Sequence, residues 1–223
     1  MPNQSQPDRL AWIREHLYVP VLCDVLDSLG YRNQAMHQRL RPLDGDNCTF
    51  VGRARTLQWI ATNDIDERDP YGLEIDAVDS LKAGDVVVHS TDTTGTVAPW
   101  GELMSTICHR KGVAGCVCDA LVRDCKKIMA MRFAVFHNGI RPLDSKGRGR
   151  VTAYDVPIQC GGIMVHPGEL IVADYDGIVV VPHDAEEKAI TLAAEKVGKE
   201  NSTRRELLKG RSLRDVFNEF GVL

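Results

Sequence analysis

Residues 113–124 read VAGCVCDALVRD, an apolar run that ends in an Arg–Asp pair. Residues 113–118 have the length and composition of a buried strand. A helical pattern over residues 101–110 precedes this strand, a second one over 123–131 follows it, and 133–136 reads as the next strand. Strands that alternate with helices in this way predict a parallel βαβ unit in the middle of the chain.

The flanking sequence adds helices at both ends and several strands after residue 150. We predict helices over residues 9–17, 20–29, 73–81 and beyond 184, and strands over 50–60, 86–89, 153–158, 163–165, 169–173 and 178–181. Polar loops with Pro or Gly are predicted over 64–71 and 139–150. The sequence therefore predicts the α/β class, with a mixed sheet, helices at both termini, and a single domain over residues 1–223.

The composition is that of an ordinary globular protein of modest acidity. The 223 residues are 43% hydrophobic and 26% charged, and a chain of this length can bury a core without metal or disulfide support. Lys and Arg number 27 against 31 Asp and Glu, a formal charge of -4. This balance argues against nucleic acid as the main partner, because phosphate binding needs a cationic face.

Cysteine usage and hydropathy indicate a cytoplasmic location. The seven cysteines are an odd number and lack the paired C-x-x-C spacing of a zinc site. We expect free thiols, with Cys116 and Cys118 as small core residues on one face of a strand. The sequence shows neither a signal-peptide core near its first residues nor an apolar run long enough to span a membrane.

The first segment that could carry chemistry is Pro99–Met104, where a Pro/Gly turn leads into a helix. Backbone amides at a helix start bind carboxylates or phosphates well. The Glu102 carboxylate would repel an anion bound there unless a metal ion lies nearby. The alternative is that Glu102 is an acidic first-turn residue that stabilises its own helix.

The second such segment is the end of the opening stretch, Asp119 to Asp124. Ligands tend to bind at the carboxyl ends of parallel strands. Arg123 could hold a carboxylate bidentately, and Asp124 could bind a hard divalent cation. The alternative is that Asp124 caps the following helix while Arg123 pairs with Asp119.

A series of motifs in the same order along the chain resembles one known family, over residues 20 to 210. The motifs are GEL (101–103), GVAG (112–115), Asp119 with VRD (122–124), VP (156–157), CGG (160–162), VHPGE (165–169) and ADYDGIVVVP (173–182), with Asp24 and VGRA (51–54) near the start. The family groups the 4-hydroxy-4-methyl-2-oxoglutarate/4-carboxy-4-hydroxy-2-oxoadipate aldolases with the regulator of ribonuclease activity A.

The resemblance implies a swivelling-type α/β sandwich, a homotrimer or hexamer, and a Mg²⁺ or Mn²⁺ ion with pyruvate bound between subunits. Asp124 resembles the direct metal ligand, and Arg123 resembles the residue that binds the pyruvyl group. Glu102 resembles a carboxylate that holds metal-bound water. The family's amide loop corresponds to Gly101, Glu102, Leu103 and Met104.

The resemblance also implies a C-terminal glutamate from the neighbouring subunit. Glu200 is the best match, with Glu195 and Glu206 as alternatives for the register. This sequence departs from the family pattern in having Ala120 for the usual glycine and Glu169 for the usual aspartate.

The activity implied is a class II aldolase that cleaves a 4-hydroxy-2-oxo acid to pyruvate, with oxaloacetate decarboxylation through the same enolate. The alternatives are a non-catalytic regulator that binds and inhibits a ribonuclease or helicase, and a small-molecule sensor that retains the pocket. The loop with Arg141, Lys146 and Arg148 either meets a second substrate carboxylate or is solvated.

Overall fold

A computed structural model describes residues 5–92 and 94–222. The helices are α1 (Gln6–His16), α2 (Val19–Ser28), α3 (Leu73–Asp79), α4 (Glu102–Lys111), α5 (Cys125–Ala130), α6 (Glu186–Leu208) and α7 (Leu213–Phe220). The strands are β1 (Arg41–Pro42), β2 (Phe50–Ala61), β3 (Asp85–His89), β4 (Gly115–Val122), β5 (Val135–Ile140), β6 (Gly149–Tyr154), β7 (Ile158–Cys160), β8 (Ile163–Val165), β9 (Leu170–Asp174) and β10 (Gly177–Val181). The predicted α/β class with helices at both ends is confirmed.

Within the described residues the main sheet is mixed and nearly closed. Its order is β1-β5-β4-β3-β2-β9-β10, with β6 paired to β2. Strands β2, β3, β4 and β5 run parallel to one another, while β9, β10, β6 and β1 join antiparallel. Strands β7 and β8 form a separate hairpin. The parallel unit predicted in the middle of the chain is confirmed, and β4 lies at its centre.

Alternate residues of the central strands supply two cores, one on each face of the sheet. On β3, Val86 and Val88 pack in one cluster with Phe136, whereas Val87 packs on the other face with Trp100. Cys116 and Cys118 are fully buried on the Trp100 face, as predicted. A third cluster lies where α1, α2 and α6 cover β9 and β10.

A buried carboxylate fixes β4 to three other segments. Asp119 is fully buried, and its oxygens accept hydrogen bonds from the Arg39 guanidinium at 3.0 and 3.1 Å. The Gly161 amide in the β7–β8 turn donates at 2.8 Å, and the Thr91 hydroxyl after β3 donates at 2.5 Å. The carboxylate is therefore fully paired in the interior, as a buried charge must be.

Two predicted boundaries differ from the structure for local backbone reasons. Strand β4 continues to Val122, and α5 begins at Cys125 instead of residue 123, because Asp124 is left-handed with φ 59°. The predicted strand over 153–158 is divided, because residues 153 and 154 end β6 and residue 158 begins β7. Chain direction changes at Asp155, which has φ 52°, and its carboxylate there accepts two hydrogen bonds from Arg55 at 2.8 Å.

The cysteines and the helices bear on two further predictions from the sequence. All seven cysteines are free thiols, as expected. Among the helices of residues 5–92 and 94–222, none combines the length and apolar character needed to cross a bilayer.

Candidate active site

The site is built where β4 ends beside the start of α4. Trp100 and Val122 form a parallel bridge, and the Arg123 amide donates to the Trp100 carbonyl at 2.9 Å. Trp100 is fully buried, so both segments are fixed at this point. Arg123 and Asp124 therefore emerge from β4 next to Gly101 and the first turn of α4.

Asp124 and the start of α4 are in direct contact. The Glu102 amide donates to Asp124 Oδ2 at 3.2 Å. A Cβ at Gly101 would lie 2.8 Å from the same oxygen, so the close approach requires glycine. The amides of residues 102–104 precede the first helical hydrogen bond, from the Ser105 amide to the Gly101 carbonyl at 3.1 Å. One of these helix-start amides thus binds Asp124.

The structure contradicts the purely structural alternative for the Arg–Asp pair. Asp124 occupies the N-cap position of α5, yet within the described residues its side chain makes no capping hydrogen bond. Asp119 pairs with Arg39, so it is not the partner of Arg123. Both side chains of the pair instead turn towards the start of α4 and the cleft beside it.

The Arg123 guanidinium lies between two carboxylates. Its Nε is 3.9 Å from Asp124 Oδ2, and one terminal nitrogen is 3.4 Å from Asp144 Oδ1. The side chain is 37% exposed, so the rest of the guanidinium faces solvent. Asp144 in turn accepts a hydrogen bond from the Tyr71 hydroxyl at 3.0 Å.

Glu102, the first residue of α4, has a partly exposed carboxylate beside Lys127. Its Oε2 is 3.7 Å from the Lys127 ammonium group, and the Lys127 side chain is 71% exposed. This is a weak surface pair, so Lys127 can leave without a large loss of stability. Leu103 is largely exposed and Met104 is half-buried. The structure thus brings the predicted residues 101–104, Arg123 and Asp124 together.

A cleft of about 430 Å³ opens beside these groups. Cationic side chains and two apolar residues line it, namely Arg123, Lys126, Lys127, Arg141, Ile140 and Pro142, together with Asp124 and Cys125. Of the loop residues considered from the sequence, Arg141 alone lines this cleft. Lys146 pairs with Glu67 at 3.3 Å, and Arg148 donates to the Asp144 carbonyl at 3.3 Å.

The oxygen donors at the cleft fit a hard divalent cation. Asp124 and Glu102 have side chains 44% and 27% exposed, so their carboxylates can reach an ion. In the part of the chain that the structure describes, three or more His, Cys, Asp or Glu side chains do not cluster as a metal site. An ion would therefore take one or two ligands from this chain and the rest from water or substrate, which suits Mg²⁺.

Glu200 lies elsewhere in the chain. It is on α6, where its carboxylate accepts a hydrogen bond from the Tyr18 hydroxyl. It lines a second cleft with Asp24 and Arg204, on the side of the sheet where α2 and α6 cover β9 and β10. Glu200 and Asp124 of one chain therefore do not share a site, and the role of Glu200 in a neighbouring subunit stays a prediction.

Sequence reasoning missed Tyr71, Glu74 and Asp144, which lie behind Arg123. The loop with Asp144 follows β5, and β5 is the parallel neighbour of β4. Loops after adjacent parallel strands meet at one edge of the sheet. That rule could have placed Asp144 beside Arg123, whereas the contact with Tyr71 joins loops far apart in the chain.

Glu74 is the buried ionisable group of this region. It is 3% exposed at the start of α3. Burial and then the negative charge of Asp144 raise the pKa of Glu74 from 4.5 to about 8, against the opposing effect of Arg123. Glu74 is thus mostly protonated at neutral pH, which removes one negative charge from the neighbourhood of Arg123.

Relatives of this chain are found over most of its length. Residues 19–180 match the model of the RraA-like family, described as Aldolase/RraA. A Halalkalibacterium halodurans protein, provisionally assigned as a 4-hydroxy-4-methyl-2-oxoglutarate aldolase, is 30% identical over 205 residues, which are 91% of this chain and 90% of that protein. A Thermus thermophilus protein named 4-hydroxy-4-methyl-2-oxoglutarate aldolase is 27% identical over 140 residues, 62% of this chain and 79% of that protein.

Solved structures share the fold. An uncharacterized protein from Pseudomonas syringae pv. tomato has a TM-score of 0.80 at 26% identity and covers 96% of this chain and 98% of its own. Streptomyces coelicolor RraAS2, described as an unusual member of the RNase ES inhibitor RraA protein family, has a TM-score of 0.78 at 26% identity, over 91% of this chain and 98% of its own.

Fold and site together define an α/β protein of the aldolase/RraA type, with a charged cleft at the end of a central parallel strand. The match over residues 19–180 covers well over half of the sequence, and the relative from Halalkalibacterium spans nearly all of it. The chain belongs to the RraA-like family.

The raised pKa of Glu74 predicts a pH-dependent stability. An unfolded Glu has a pKa near 4.3, so between about pH 4.5 and 8 the folded state binds more protons and stability falls as pH rises. Glu74→Gln is neutral throughout, so its urea-unfolding midpoint should fall less across this window than that of the wild type. Glu67→Gln, an exposed loop variant, should follow the wild type. Parallel curves for wild type and Glu74→Gln would contradict the assignment.

Proposed function

We propose that this protein is a divalent-metal-dependent class II aldolase that cleaves a 4-hydroxy-2-oxo acid to pyruvate and a carbonyl product. We also propose that the same site decarboxylates oxaloacetate. The observation that carries the proposal is that the Asp124 carboxylate and the Arg123 guanidinium line one cleft and that Asp124 is bound to the start of α4 through the Glu102 amide. The names of the relatives from Halalkalibacterium and Thermus support the same reaction.

Arg123 and the helix-start amides would bind the 2-oxo acid. A guanidinium can hold a carboxylate through two parallel hydrogen bonds. The amides of Leu103 and Met104 lie in the first turn of α4, where the helix dipole favours a negative charge. The Glu102 amide is bound to Asp124, so the following two amides are the ones open to substrate.

Asp124 would hold the cation directly and Glu102 would hold it through water. When bound, a divalent cation supplies Lewis-acid polarisation of the ketone oxygen of the substrate. Both carboxylates are partly exposed, and Gly101 keeps the space between Asp124 and α4 free of a side chain.

Cleavage breaks the C3–C4 bond of the hydroxy acid. The bonding pair remains on the pyruvyl half as an enolate, whose negative charge lies at the former ketone oxygen, and the 4-hydroxyl loses its proton as C4 becomes a carbonyl. Arg123 stabilises this developing charge, an effect worth about 3 to 4 kcal/mol for a single well-placed donor. C3 of the enolate then takes up a proton from water to give pyruvate. In oxaloacetate the fragment lost from the same position is CO₂.

The proton of the 4-hydroxyl needs a base. Glu102 is next to Asp124 through its amide and next to Lys127 of the cleft through its carboxylate, and it would accept the proton through water. We propose that Glu200 of the partner subunit shares this role, in a homotrimer or a hexamer made from two trimers. Glu200 and Asp124 of one chain line different clefts, so Glu200 could act at this site only from a second subunit.

The second candidate is a non-catalytic regulator of a ribonuclease. The relative RraAS2 is described as a member of the RNase ES inhibitor family, which favours this function. The regulator function gives no reason for the close arrangement of Arg123 and Asp124 at one cleft with Glu102 beside them. A sensor that binds a 2-oxo acid without consuming it would need the same arrangement without turnover.

The aldolase proposal predicts metal-dependent release of pyruvate, measured by coupling to lactate dehydrogenase. We expect turnover of 4-hydroxy-4-methyl-2-oxoglutarate and of oxaloacetate with Mg²⁺ or Mn²⁺, and none with EDTA. Asp124→Ala should lower turnover by at least about 1,000-fold and Arg123→Ala by about 100- to 1,000-fold.

The control is Asp76→Ala, which removes an exposed carboxylate on α3 and should leave turnover unchanged. Wild-type rates in Asp124→Ala would contradict the proposed site. A wild-type protein that releases no pyruvate but binds a ribonuclease tightly would favour the regulator.

A shared site predicts complementation between inactive subunits. Asp124→Ala and Glu200→Ala should each be inactive alone. Random mixing of the two in a cyclic oligomer should restore about a quarter of the wild-type activity, because each restored site needs one intact residue from each subunit type.

Glu195→Ala and Glu206→Ala, mixed with Asp124→Ala in the same way, test the alternative registers. If Glu195→Ala or Glu206→Ala is inactive alone and recovers about a quarter of the activity when mixed with Asp124→Ala, the role moves to that residue. Failure of all three mixtures would contradict a shared site.

A further inference from the structure

The Arg123 guanidinium contacts Asp144 in the loop after β5, and Asp144 accepts a hydrogen bond from Tyr71 in the loop over residues 64–72. We propose that Asp144, itself held by Tyr71, is a positioning residue that fixes the Arg123 guanidinium for binding the substrate carboxylate. This inference rests on the proposed function, because it assigns Arg123 a 2-oxo acid as its ligand. It makes Tyr71, in the loop over residues 64–72, a positioning residue for the binding site, although Tyr71 does not line the cleft itself.

Asp144 contacts only part of the Arg123 guanidinium. One terminal nitrogen lies 3.4 Å from Asp144 Oδ1, and the guanidinium has five N–H groups in a rigid fork. Asp144 takes one edge of the fork and leaves the rest for a ligand. The side chain is 37% exposed, so without this contact it would be free to change rotamer, and binding would have to order it.

Asp144 is itself fixed. Its Oδ2 accepts the Tyr71 hydroxyl at 3.0 Å, and its Oδ1 accepts the Lys146 amide at 3.5 Å. Arg148 donates to its backbone carbonyl at 3.3 Å. Burial alone would raise the pKa of Asp144, but the Tyr71 hydrogen bond and the Arg123 charge outweigh it and lower the pKa. Asp144 is therefore a rigid, ionised partner.

Tyr71 is held in place by the start of α3. The Glu74 amide donates to the Tyr71 carbonyl at 3.0 Å, which ties Tyr71 to the first turn of α3. Glu74 is buried beside this point and mostly neutral at pH 7. Since Glu74 adds no charge there, Asp144 is the carboxylate behind Arg123 that attracts the guanidinium.

The alternative role for the Tyr71–Asp144 hydrogen bond is to stabilise the contact between the loop over residues 64–72 and the loop after β5. The same two loops are already joined by Glu67 and Lys146 at 3.3 Å, and that pair does not contact Arg123. A half-exposed ion pair such as Arg123–Asp144 adds little to stability. The placement of Asp144 is therefore explained by orientation of Arg123 and not by the strength of the contact. Glu67→Gln is a matched control, because it breaks the other connection between these loops.

The test measures the dissociation constant of pyruvate by calorimetry with excess Mg²⁺, using the full-length protein. Asp144→Asn should weaken binding about fivefold, the size expected for one partly exposed ion pair. Tyr71→Phe should weaken it by about two- to threefold, and the double variant should resemble Asp144→Asn, because Tyr71 acts through Asp144. Glu67→Gln should bind as the wild type does.

The Arg123→Ala background separates positioning from a general structural role. If Asp144 acts through Arg123, Asp144→Asn should leave the weak residual pyruvate affinity of Arg123→Ala unchanged. An equal loss in both backgrounds, or no loss in the wild-type background, would overturn the proposal.

Failure of the proposed function would be recognised separately. A wild-type protein that neither releases nor binds pyruvate would remove the ligand assigned to Arg123. The contact is then decided by crystal structures of the wild type and Asp144→Asn. A displaced or disordered Arg123 side chain in Asp144→Asn would support the positioning role, and an unchanged Arg123 rotamer would overturn it irrespective of the ligand.

Discussion

The buried carboxylate of Asp119 is the constraint on which the arrangement of the site depends. It lies on the central strand and is paired with a loop before β1, the segment after β3 and the β7–β8 turn. Removing one partner from such a buried charge costs about 3 to 5 kcal/mol, a large part of a typical folding free energy of 5 to 15 kcal/mol. The end of β4 is therefore held in one place, and Arg123 and Asp124 follow four and five residues after Asp119.

From this fixed strand end, the site is assembled by close backbone approach. The bridge between Trp100 and Val122 brings α4 against the end of β4, and Gly101 allows the Asp124 carboxylate to reach the Glu102 amide. Arg123 then lies between Asp124 and Asp144. The result is a cluster of alternating charges at an open cleft, which suits a small anion and a divalent cation bound together.

Much of this could be predicted from the sequence, because it depends on local pattern. The alternation of strands and helices identified the parallel unit, and the Arg–Asp pair after an apolar run identified the site at its end. The order of motifs identified the family. The family resemblance predicts residues 101–104, 123 and 124 at one site, and the structure brings them together.

The remainder depends on contacts that local pattern does not encode. Tyr71 and Asp144 meet only because two loops converge behind Arg123, and no spacing in the sequence marks that contact. The left-handed backbone of Asp124 moved the start of α5, and that of Asp155 divided a predicted strand. The proposed contribution of Glu200 would come from a second subunit, so contacts within one chain do not encode it.

The central claim is that Asp124 and Arg123 together bind a divalent cation and a 2-oxo acid. The most direct measurement is a crystal structure of the protein grown with Mn²⁺ and pyruvate, with the metal located by its anomalous scattering. We expect Mn²⁺ within about 2.3 Å of an Asp124 carboxylate oxygen, and the pyruvate carboxylate on Arg123 and the amides of Leu103 and Met104. Mn²⁺ bound away from Asp124, or pyruvate bound without contact to Arg123, would contradict the claim.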